Sequence, residues 1–165
     1  METKSQDWHG WLREHAARLL LFARAQTRCE ADAEDVLQDA LVECWRRGNG
    51  HAPDLPLVYS TIRRRSIDLA RGMDRRSRRE EAVMADAKTV CWFDDTLEKA
   101  ETAQLLDQAM KRMPEKFREV IVLKIWGELT FAQVAETLDI PMNTAASRYR
   151  YGLDYLKKDN LLSHS

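Results

Sequence analysis

Apolar residues recur every three or four positions along most of the chain, a spacing typical of amphipathic helices. Neither the alternation of a β-strand nor a tandem repeat appears in the sequence. Glycine and proline are scarce, and long stretches contain neither. The pattern therefore predicts an all-α protein. Three helices are expected in the first half: about 7–27, from Asp32 as N-cap to Gly48, and one that begins after Pro56.

The apolar stripe of each predicted helix identifies a candidate core. In the first half the clearest stripe belongs to the second helix and contains Val36, Leu37, Ala40, Leu41, Cys44 and Trp45. In the second half a helix resumes at Thr96, and another opens at Pro114 and ends at Gly127. Their inward residues are expected to be Leu97, Leu105, Leu106, Ala109, Met110, Met113, Phe117, Val120, Ile121 and Ile125.

The segment TFAQVAETLDIPMNTAASRYRYGL predicts a helix-turn-helix. Thr130 and Gln133 have the spacing of a capping box at the start of the first helix. Asp139 occupies the turn, where a left-handed conformation is often needed and aspartate tolerates it better than most residues. Asn143 or Met142 starts the second helix, with Asn143 the better N-cap.

The second of these helices has an exposed half that suits DNA. It carries Ala146, Ser147, Arg150 and Tyr151, with Arg148 and Tyr149 near the boundary with the core. Such a helix fits the major groove of B-DNA, where arginine bridges guanine acceptors and serine or tyrosine binds phosphates. Thr144 and the first N–H groups of the helix suit a phosphate as well. The alternative is an ordinary amphipathic helix that closes a small bundle.

Charge is segregated along the chain, although the formal net charge is only −1. Eight arginines lie between positions 63 and 79 against two aspartates, and an acidic segment follows from 80 to 101. The basic helix is expected to bind DNA by displacing counterions from phosphates. Tyr59 at its start is a candidate for stacking on an unpaired base. The alternative is a solvated helix with i to i+4 ion pairs such as Arg64–Asp68.

The second predicted helix carries an acidic stripe opposite its apolar side. The stripe consists of Glu34, Asp35, Gln38 and Asp39. Such a surface repels DNA, so a functional role requires a basic protein partner. A solvated face without a partner is the other interpretation.

The sequence contains no pattern that supports an enzyme, a metal site or a cofactor. Cys29, Cys44, Cys91 and the four histidines are too scattered for metal ligation. A Ser–His–Asp set and a glycine-rich phosphate loop are both lacking. No apolar run has the length of a membrane span, and the N-terminus lacks a signal core. We therefore expect a cytoplasmic, non-enzymatic protein.

Three segments, in order, resemble the bacterial RNA polymerase sigma factors of the ECF (extracytoplasmic function) family. ADAEDVLQDALVECWRR is similar to region 2.2, and VYSTIRRRSIDLARGMDRRSRR is similar to regions 2.3 and 2.4. MKRMPEKFREVIVLKIWGELTFAQVAETLDIPMNTAASRYRYGLDYL is similar to region 4. The resemblance implies two small helical domains joined by a linker: a region 2 domain at 1–80, an acidic linker at 81–95 and a region 4 domain with the helix-turn-helix at 96–165.

The resemblance also implies a function. The chain would be a transcription initiation factor that brings RNA polymerase core to promoters, with the catalysis left to the polymerase. Contacts with core would involve the β′ clamp helices, through Glu34, Asp35, Gln38 and Asp39, and the β flap. The −10 element would be recognised and melted by Tyr59, Arg63, Arg64, Asp68, Arg71, Arg75 and Arg76. The −35 element would be read by Asn143, Thr144, Ala146, Ser147, Arg148, Arg150 and Tyr151. Many relatives are held inactive by an anti-sigma factor, a partner compatible with this chain.

Four positions depart from the family's pattern. Asn143 and Ala146 replace the usual glycine and lysine of G-T-V-K-S-R, which removes a phosphate contact at 146. Arg64 stands where the family often has asparagine, and Leu57 stands where it often has tryptophan. The family's −35 sequence preference therefore does not carry over directly to this chain, and the melting pocket is expected to prefer a different base.

A stand-alone helix-turn-helix regulator is the alternative function, but it leaves the acidic stripe and the arginine helix unexplained. A separate question concerns residues 90–93, VCWF, which form an apolar segment within the acidic linker. They either clip the two domains together in the free protein, belong to the second domain's core, or settle in a polymerase channel.

Overall fold

The computed structural model describes residues 3–49, 51–77 and 100–158 of the 165-residue chain. Within these ranges every regular element is helical, as the apolar spacing predicted. The elements are α1 (Thr3–Gln26), α2 (Glu30–Arg47), α3 (Leu55–Ser77), α4 (Ala100–Arg112), α5 (Glu115–Ile121), a π-helical turn (Val122–Trp126), α6 (Phe131–Leu138) and α7 (Met142–Lys158). None of the helices in the described ranges is long and apolar enough to span a membrane.

The chain divides into two compact units, Met1–Val90 and Cys91–Ser165. Helices α1 to α3 belong to the first unit, and α4 to α7 belong to the second. The predicted linker at 81–95 lies outside the described residues, together with its apolar segment and both predicted domain boundaries.

In the first unit, α1, α2 and α3 pack around a core of large side chains. Leu19, Phe22, Val58, Tyr59 and Ile62 are fully buried. The rings of Phe22 and Tyr59 meet edge to face, with centroids 5.2 Å apart. Each such side chain contributes about 1.5–3 kcal/mol when it is fully buried, so this cluster is the main support of the unit.

The start of α2 corrects one sequence prediction. Cys29 is the N-cap instead of Asp32: its backbone is extended, and its Sγ accepts a hydrogen bond from the N–H of Asp32 at 3.4 Å. Asp32 is therefore the third residue of the helix, where its carboxylate, like that of Glu30, suits the positive end of the helix dipole. The predicted end at Gly48 is confirmed, because its N–H donates to the carbonyl of Cys44 at 3.0 Å.

The inner face of α2 is narrower than the sequence predicted. Its buried residues are Ala33, Val36, Ala40 and Cys44. Trp45 is 37% exposed, and its ring lies edge-on to that of Trp8, with centroids 4.6 Å apart. Small side chains let α2 approach its neighbours closely and leave no room for an indole, so Trp45 lies at the border of the core.

In the second unit, α5 continues into the π-helical turn Val122–Trp126. A π-helical turn contains more residues than an α-helical turn, so the 3.6-residue period does not continue through it. Ile125, predicted to face inward, is consequently 41% exposed, whereas Ile121 remains fully buried. The predicted end at Gly127 is confirmed, since Gly127 is the C-cap of the turn.

In this unit one further prediction is corrected, and the helix opening at Pro114 is confirmed. Leu105 is 51% exposed, because the buried stripe of α4 is centred on Ala109, Met110 and Met113 and leaves Leu105 at its border. Pro114 stands one residue before α5 as its N-cap, with φ −54° and ψ 139°. Its carbonyl accepts the first hydrogen bonds of the helix, at 3.0 and 3.1 Å, and the missing N–H is not needed there.

Helices α6 and α7 form the predicted helix-turn-helix. The capping box is confirmed: Thr130 Oγ1 accepts from the N–H of Gln133 at 3.1 Å, and Gln133 Oε1 accepts from the N–H of Thr130 at 2.9 Å. Asp139 adopts the predicted left-handed conformation, with φ 55° and ψ 52°. Helix α7 begins at Met142, so Asn143 lies inside the helix and is not its N-cap.

Helix α7 approaches α5 closely at Gly152, which is buried. A Cβ atom at this position would lie 2.7 Å from Cγ1 and 2.9 Å from Cδ1 of Ile121. Any side chain here would push the two helices apart, since Ile121 is itself fully buried. The contact sets the distance between the second half of α7 and the end of α5.

Candidate nucleic-acid interface

A groove runs between the start of α5 and the first half of α7. It is lined by Lys116, Phe117, Asn143, Thr144, Ser147, Arg148 and Tyr151. Five of the seven residues predicted to read duplex DNA therefore lie together. The other two lie outside the lining: Arg150 is exposed, and Ala146 is half-buried.

Tyr151 and Lys116 give the groove its chemistry. The side chain of Tyr151 is 61% exposed, and its ring centroid lies 5.9 Å from that of Phe117. The Nζ atom of Lys116 lies 5.1 Å from the centroid of the Phe117 ring, so an ammonium group stands beside the groove from a second helix. A cation, hydroxyl groups and an aromatic ring in one groove suit the phosphates and base edges of DNA.

Tyr149 has a structural place in the helix-turn-helix. Its ring lies edge-on to that of Phe131 on α6, with centroids 5.5 Å apart. Both side chains are half-buried, in agreement with the boundary position predicted for Tyr149. The contact holds α6 and α7 together and fixes the direction in which α7 presents its outer face.

Tyr59 requires a correction. The sequence made it a candidate for stacking on an unpaired base, but its side chain is fully buried in the first unit. It shares the inner face of α3 with Val58 and Ile62, and its ring packs against Phe22. In this structure a base cannot reach the ring, so Tyr59 supports the fold of α3 and does not form part of its outer surface.

Arg64 and Arg71 lie on the outer surface of α3, but Arg64 forms a different ion pair from the one that the alternative of a solvated helix suggested. Arg64 and Arg71 are exposed, and Asp68 is exposed on the same helix. Arg64 bonds Glu43 of α2 through Nη2, at 2.8 Å and 3.0 Å, and does not pair with Asp68 as the i to i+4 spacing suggested. Arg63 is half-buried. The side chains of Arg75 and Arg76 lie outside the described residues.

Glu43 also contacts Arg65 and Arg47. Its carboxylate accepts from Nε of Arg65 at 3.1 Å and lies 3.1 Å from Nη2 of Arg47. Partial burial by itself would raise the pKa of Glu43. The hydrogen bond from Arg65 and the charges of Arg64, Arg65 and Arg47 outweigh that effect and hold the pKa below its ordinary value.

The acidic stripe of α2 is a separate surface. Glu34, Asp35, Gln38 and Asp39 are all exposed, on the side of α2 opposite its buried residues. Asp39 lies 3.7 Å from Nη1 of Arg65 and keeps 67% of its side chain exposed. Three of the four side chains are carboxylates, which carry negative charge and only accept hydrogen bonds. The stripe therefore suits a basic protein surface.

Comparison with known proteins identifies the family. A model of sigma-70 region 4 matches residues 103–155. The ECF RNA polymerase sigma factor SigK of Mycolicibacterium vanbaalenii is 31% identical over 136 residues, which cover 76% of this chain and 67% of the relative. An RNA polymerase sigma-E factor of Streptomyces antibioticus is 30% identical over 128 residues, 78% of this chain and 70% of the relative. The chain belongs to the ECF RNA polymerase sigma factors.

The fold agrees with this assignment. The sigma factor RpoE of Bartonella quintana, solved in complex with the anti-sigma factor NepR, superposes with a TM-score of 0.79 over 95% of this chain and 98% of that chain. Its sequence identity is 18%, so this likeness concerns the fold alone. Membership in the family, shown by the region 4 model and the two relatives, means that this sigma factor acts in transcription initiation, and the stand-alone regulator is not favoured. Sigma factors in general regulate transcription without being enzymes.

Sequence reasoning missed two groups of residues in this sigma factor. Lys116 lies in α5, far along the chain from the α7 residues that share its groove, and no local pattern marks it. Glu43 and Arg47 belong to α2, for which the sequence pattern indicated only the acidic stripe as a functional surface. The negative charge of Glu43, which lies in sequence between the stripe and the arginine helix, was the only local indication of an ion pair. Its arginine partners could be identified only from the packing of α2 against α3.

Among the described residues, no group of three or more histidine, cysteine, aspartate or glutamate side chains is placed to hold a metal ion. Cys29 and Cys44 are free thiols, and Cys91 lies outside the described part of the chain. Burial raises the pKa of both thiols, which keeps them protonated and poorly reactive.

Proposed function

We propose that this sigma factor binds RNA polymerase core through the acidic stripe of α2 and directs it to promoters through α3 and α7. The first unit would recognise and melt the −10 element, and the second would read the −35 element. In sequence terms these are a region 2 domain at 1–80 and a region 4 domain at 96–165, joined by the acidic linker at 81–95. The catalysis belongs to the polymerase.

One observation carries the proposal: the first unit presents two surfaces of opposite charge on adjacent helices. The acidic stripe of α2 is exposed, and Arg64 and Arg71 are exposed on the neighbouring helix α3. A protein that only binds DNA gains nothing from an exposed acidic stripe next to its basic helix, because the stripe repels phosphates. A protein that joins a basic partner to DNA requires both surfaces.

At the −35 element, α7 would lie in the major groove. Ser147, Arg150 and Tyr151 are placed on its outer side, and Asn143 and Thr144 lie at its first turn. We assign base contacts to Arg150 and phosphate contacts to Thr144, Ser147 and Lys116, since hydroxyl and ammonium groups contact phosphate oxygens. Ala146 and Arg148 would lie at the edge of this contact.

At the −10 element, the contacts would come from Arg63, Arg64, Asp68, Arg71, Arg75 and Arg76. Tyr59 is not among them, because its burial assigns it to the core. Arginines that bind phosphates release counterions, so the affinity of the free protein for DNA is expected to fall steeply with salt.

The partners follow from these surfaces. We assign the acidic stripe to the β′ clamp helices of core polymerase, and the second unit also to the β flap. An anti-sigma factor is a further partner, since a protein of the same fold was solved with one. Such a protein acts where the polymerase and the chromosome are, in the bacterial cytoplasm.

Transcription with purified components tests the proposal. The chain is mixed with bacterial core enzyme and a library of promoter fragments from its own genome, and run-off transcripts are mapped. We expect discrete start sites that require the chain. The proposal fails if the chain binds DNA but neither binds core enzyme at moderate salt nor directs any start.

A further inference from the structure

Glu43 brings two arginines of different helices to the same oxygen atom. Arg47, from the last turn of α2, places Nη2 3.1 Å from Glu43 Oε1. Arg64, from α3, places Nη2 2.8 Å from the same Oε1. The two guanidinium groups are therefore neighbours on the outer surface of the first unit, although 17 positions separate them in sequence.

The group formed by Glu43, Arg47, Arg64 and Arg65, here called the Glu43 cluster, has an excess of positive charge. One carboxylate faces three guanidinium groups, and Glu43 is only 17% exposed while Arg47 and Arg64 are 58% and 52% exposed. The anion is thus covered and the cations face the solvent. Asp39 offsets part of the charge of Arg65 but lies 3.7 Å away and contacts neither Arg47 nor Arg64 in the described ion pairs.

Holding α2 against α3 does not account for all of this cluster. Arg64 and Arg65 already bond Glu43 across the two helices. Arg47 pairs with Glu43 four residues earlier on its own helix, so it adds nothing to that connection. A guanidinium has five N–H donors, and the described contacts of Arg47 and Arg64 with Glu43 are made through Nη2, so each group has further donors for another acceptor. A groove beside the cluster is lined by Asp39, Val42, Glu43, Arg46, Arg47 and Arg65.

We propose that Arg47 and Arg64 together bind a phosphate of the DNA backbone. This extends the DNA-binding surface of α3 across to the last turn of α2, and it rests on the function proposed above. Two guanidinium groups beside each other match the oxygens of one phosphate, which arginine binds in a planar, bidentate manner. Arg47 does not belong to the acidic stripe, so the proposed binding of polymerase by the stripe does not involve it.

Salt titrations of the full chain test this site. Binding to a fluorescently labelled duplex and to a labelled single strand, both of arbitrary sequence, is followed by anisotropy over a range of sodium chloride concentrations. Each phosphate contact contributes about 0.9 to the slope of log K against log[salt] for duplex DNA and about 0.7 for a single strand. We expect Arg47→Gln to reduce the magnitude of the slope by about that amount. Arg64→Gln should do the same.

Two further variants make the result specific. Arg13→Gln removes an exposed arginine of α1 and changes the net charge equally, and it should leave the slope unchanged. Arg47→Lys keeps the charge and should keep the slope. If Arg13→Gln loses as much slope as Arg47→Gln, the proposal is wrong. Thermal unfolding of each variant shows whether it is folded. If Arg47→Gln does not fold, Arg64→Gln tests the site in its place.

The outcomes separate this inference from the function on which it rests. The titrations are repeated with the chain bound to core polymerase. A wild-type chain that initiates transcription, with a slope that Arg47→Gln leaves unchanged, overturns only the Arg47 site. A wild-type chain that binds neither DNA nor core enzyme overturns both. If wild type and Arg47→Gln bind DNA with the same slope and only the wild type binds inorganic phosphate, the site takes a free anion and the assignment to DNA is wrong.

Discussion

At the scale of single residues, burial changes the meaning of Tyr59. A tyrosine at the start of a basic helix is a reasonable candidate for stacking on a base, and the sequence alone cannot distinguish that role from packing. The structure places the ring against Phe22 with no exposed surface. An effect of mutating Tyr59 on transcription is therefore expected to arise from the fold.

This leads to a prediction for Tyr59→Ala. Removal of a fully buried ring should lower the free energy of unfolding by about 3–5 kcal/mol, because the transfer energy is lost and a cavity remains. Tyr59→Phe keeps the ring and should cost much less. Urea unfolding followed by circular dichroism measures both. A normal stability for Tyr59→Ala combined with defective promoter melting would restore the base-stacking role.

Glu43 gives a prediction that depends on pH. Because its pKa is lowered in the folded protein, its contribution to stability is present above the ordinary value of 4.5 and is lost as the pH falls through the lowered value. The difference in free energy of unfolding between wild type and Glu43→Gln should therefore be largest near neutral pH and shrink in acid. Glu34→Gln, at an exposed position, is the control. A difference that stays constant with pH would contradict the ion-pair account.

At the scale of elements, the groove between α5 and α7 assigns a DNA contact to a residue outside the helix-turn-helix. Lys116→Gln should weaken binding about equally for all sequences and reduce the salt slope by about 0.9, because a phosphate contact carries no base information. Lys111→Gln removes an exposed lysine of α4 that does not line the groove and should change little. Anisotropy titrations on specific and unrelated duplexes distinguish the two. Loss of sequence preference in Lys116→Gln would indicate a base contact instead.

The elements also show which features a sequence can predict. The capping box of Thr130 and Gln133 and the left-handed Asp139 were predicted because the groups that decide them are neighbours in the chain. Ile125 was mispredicted because a π-helical turn is not visible in an apolar pattern that assumes 3.6 residues per turn. The N-cap of α2 was mispredicted because cysteine is a weak acceptor that capping preferences rank below aspartate.

The candidate site was predicted less completely than the fold, for a related reason. Arg64 was recognised as a cation, but its partner Glu43 lies 21 positions away on another helix. Lys116 shares a groove with Tyr151, which lies still farther away in the chain. Residue type and local spacing identify the chemistry of a side chain, whereas tertiary packing decides which side chains stand together.

At the scale of the whole molecule, the proposed function assigns polymerase binding and DNA binding to different surfaces, so mutations should separate the two activities. Asp35→Asn combined with Asp39→Asn removes two charges from the acidic stripe and should weaken binding to core enzyme roughly 10- to 100-fold, since a paired charge at an interface is worth about one to a few kcal/mol. Binding of the same variant to DNA should be unchanged or slightly stronger, because negative charge is removed beside Arg65.

The matched control changes the same net charge elsewhere. Glu136→Gln combined with Asp154→Asn alters two exposed acids of the second unit, which contains no residue of the stripe. Co-migration with core enzyme on size exclusion and anisotropy with labelled duplex report the two activities independently. If both double variants weaken core binding equally, net charge governs the association and the stripe has no specific role. If only the stripe variant loses core binding while both keep their affinity for DNA, the chain joins two partners through surfaces that act independently, as a factor that delivers polymerase to promoters must.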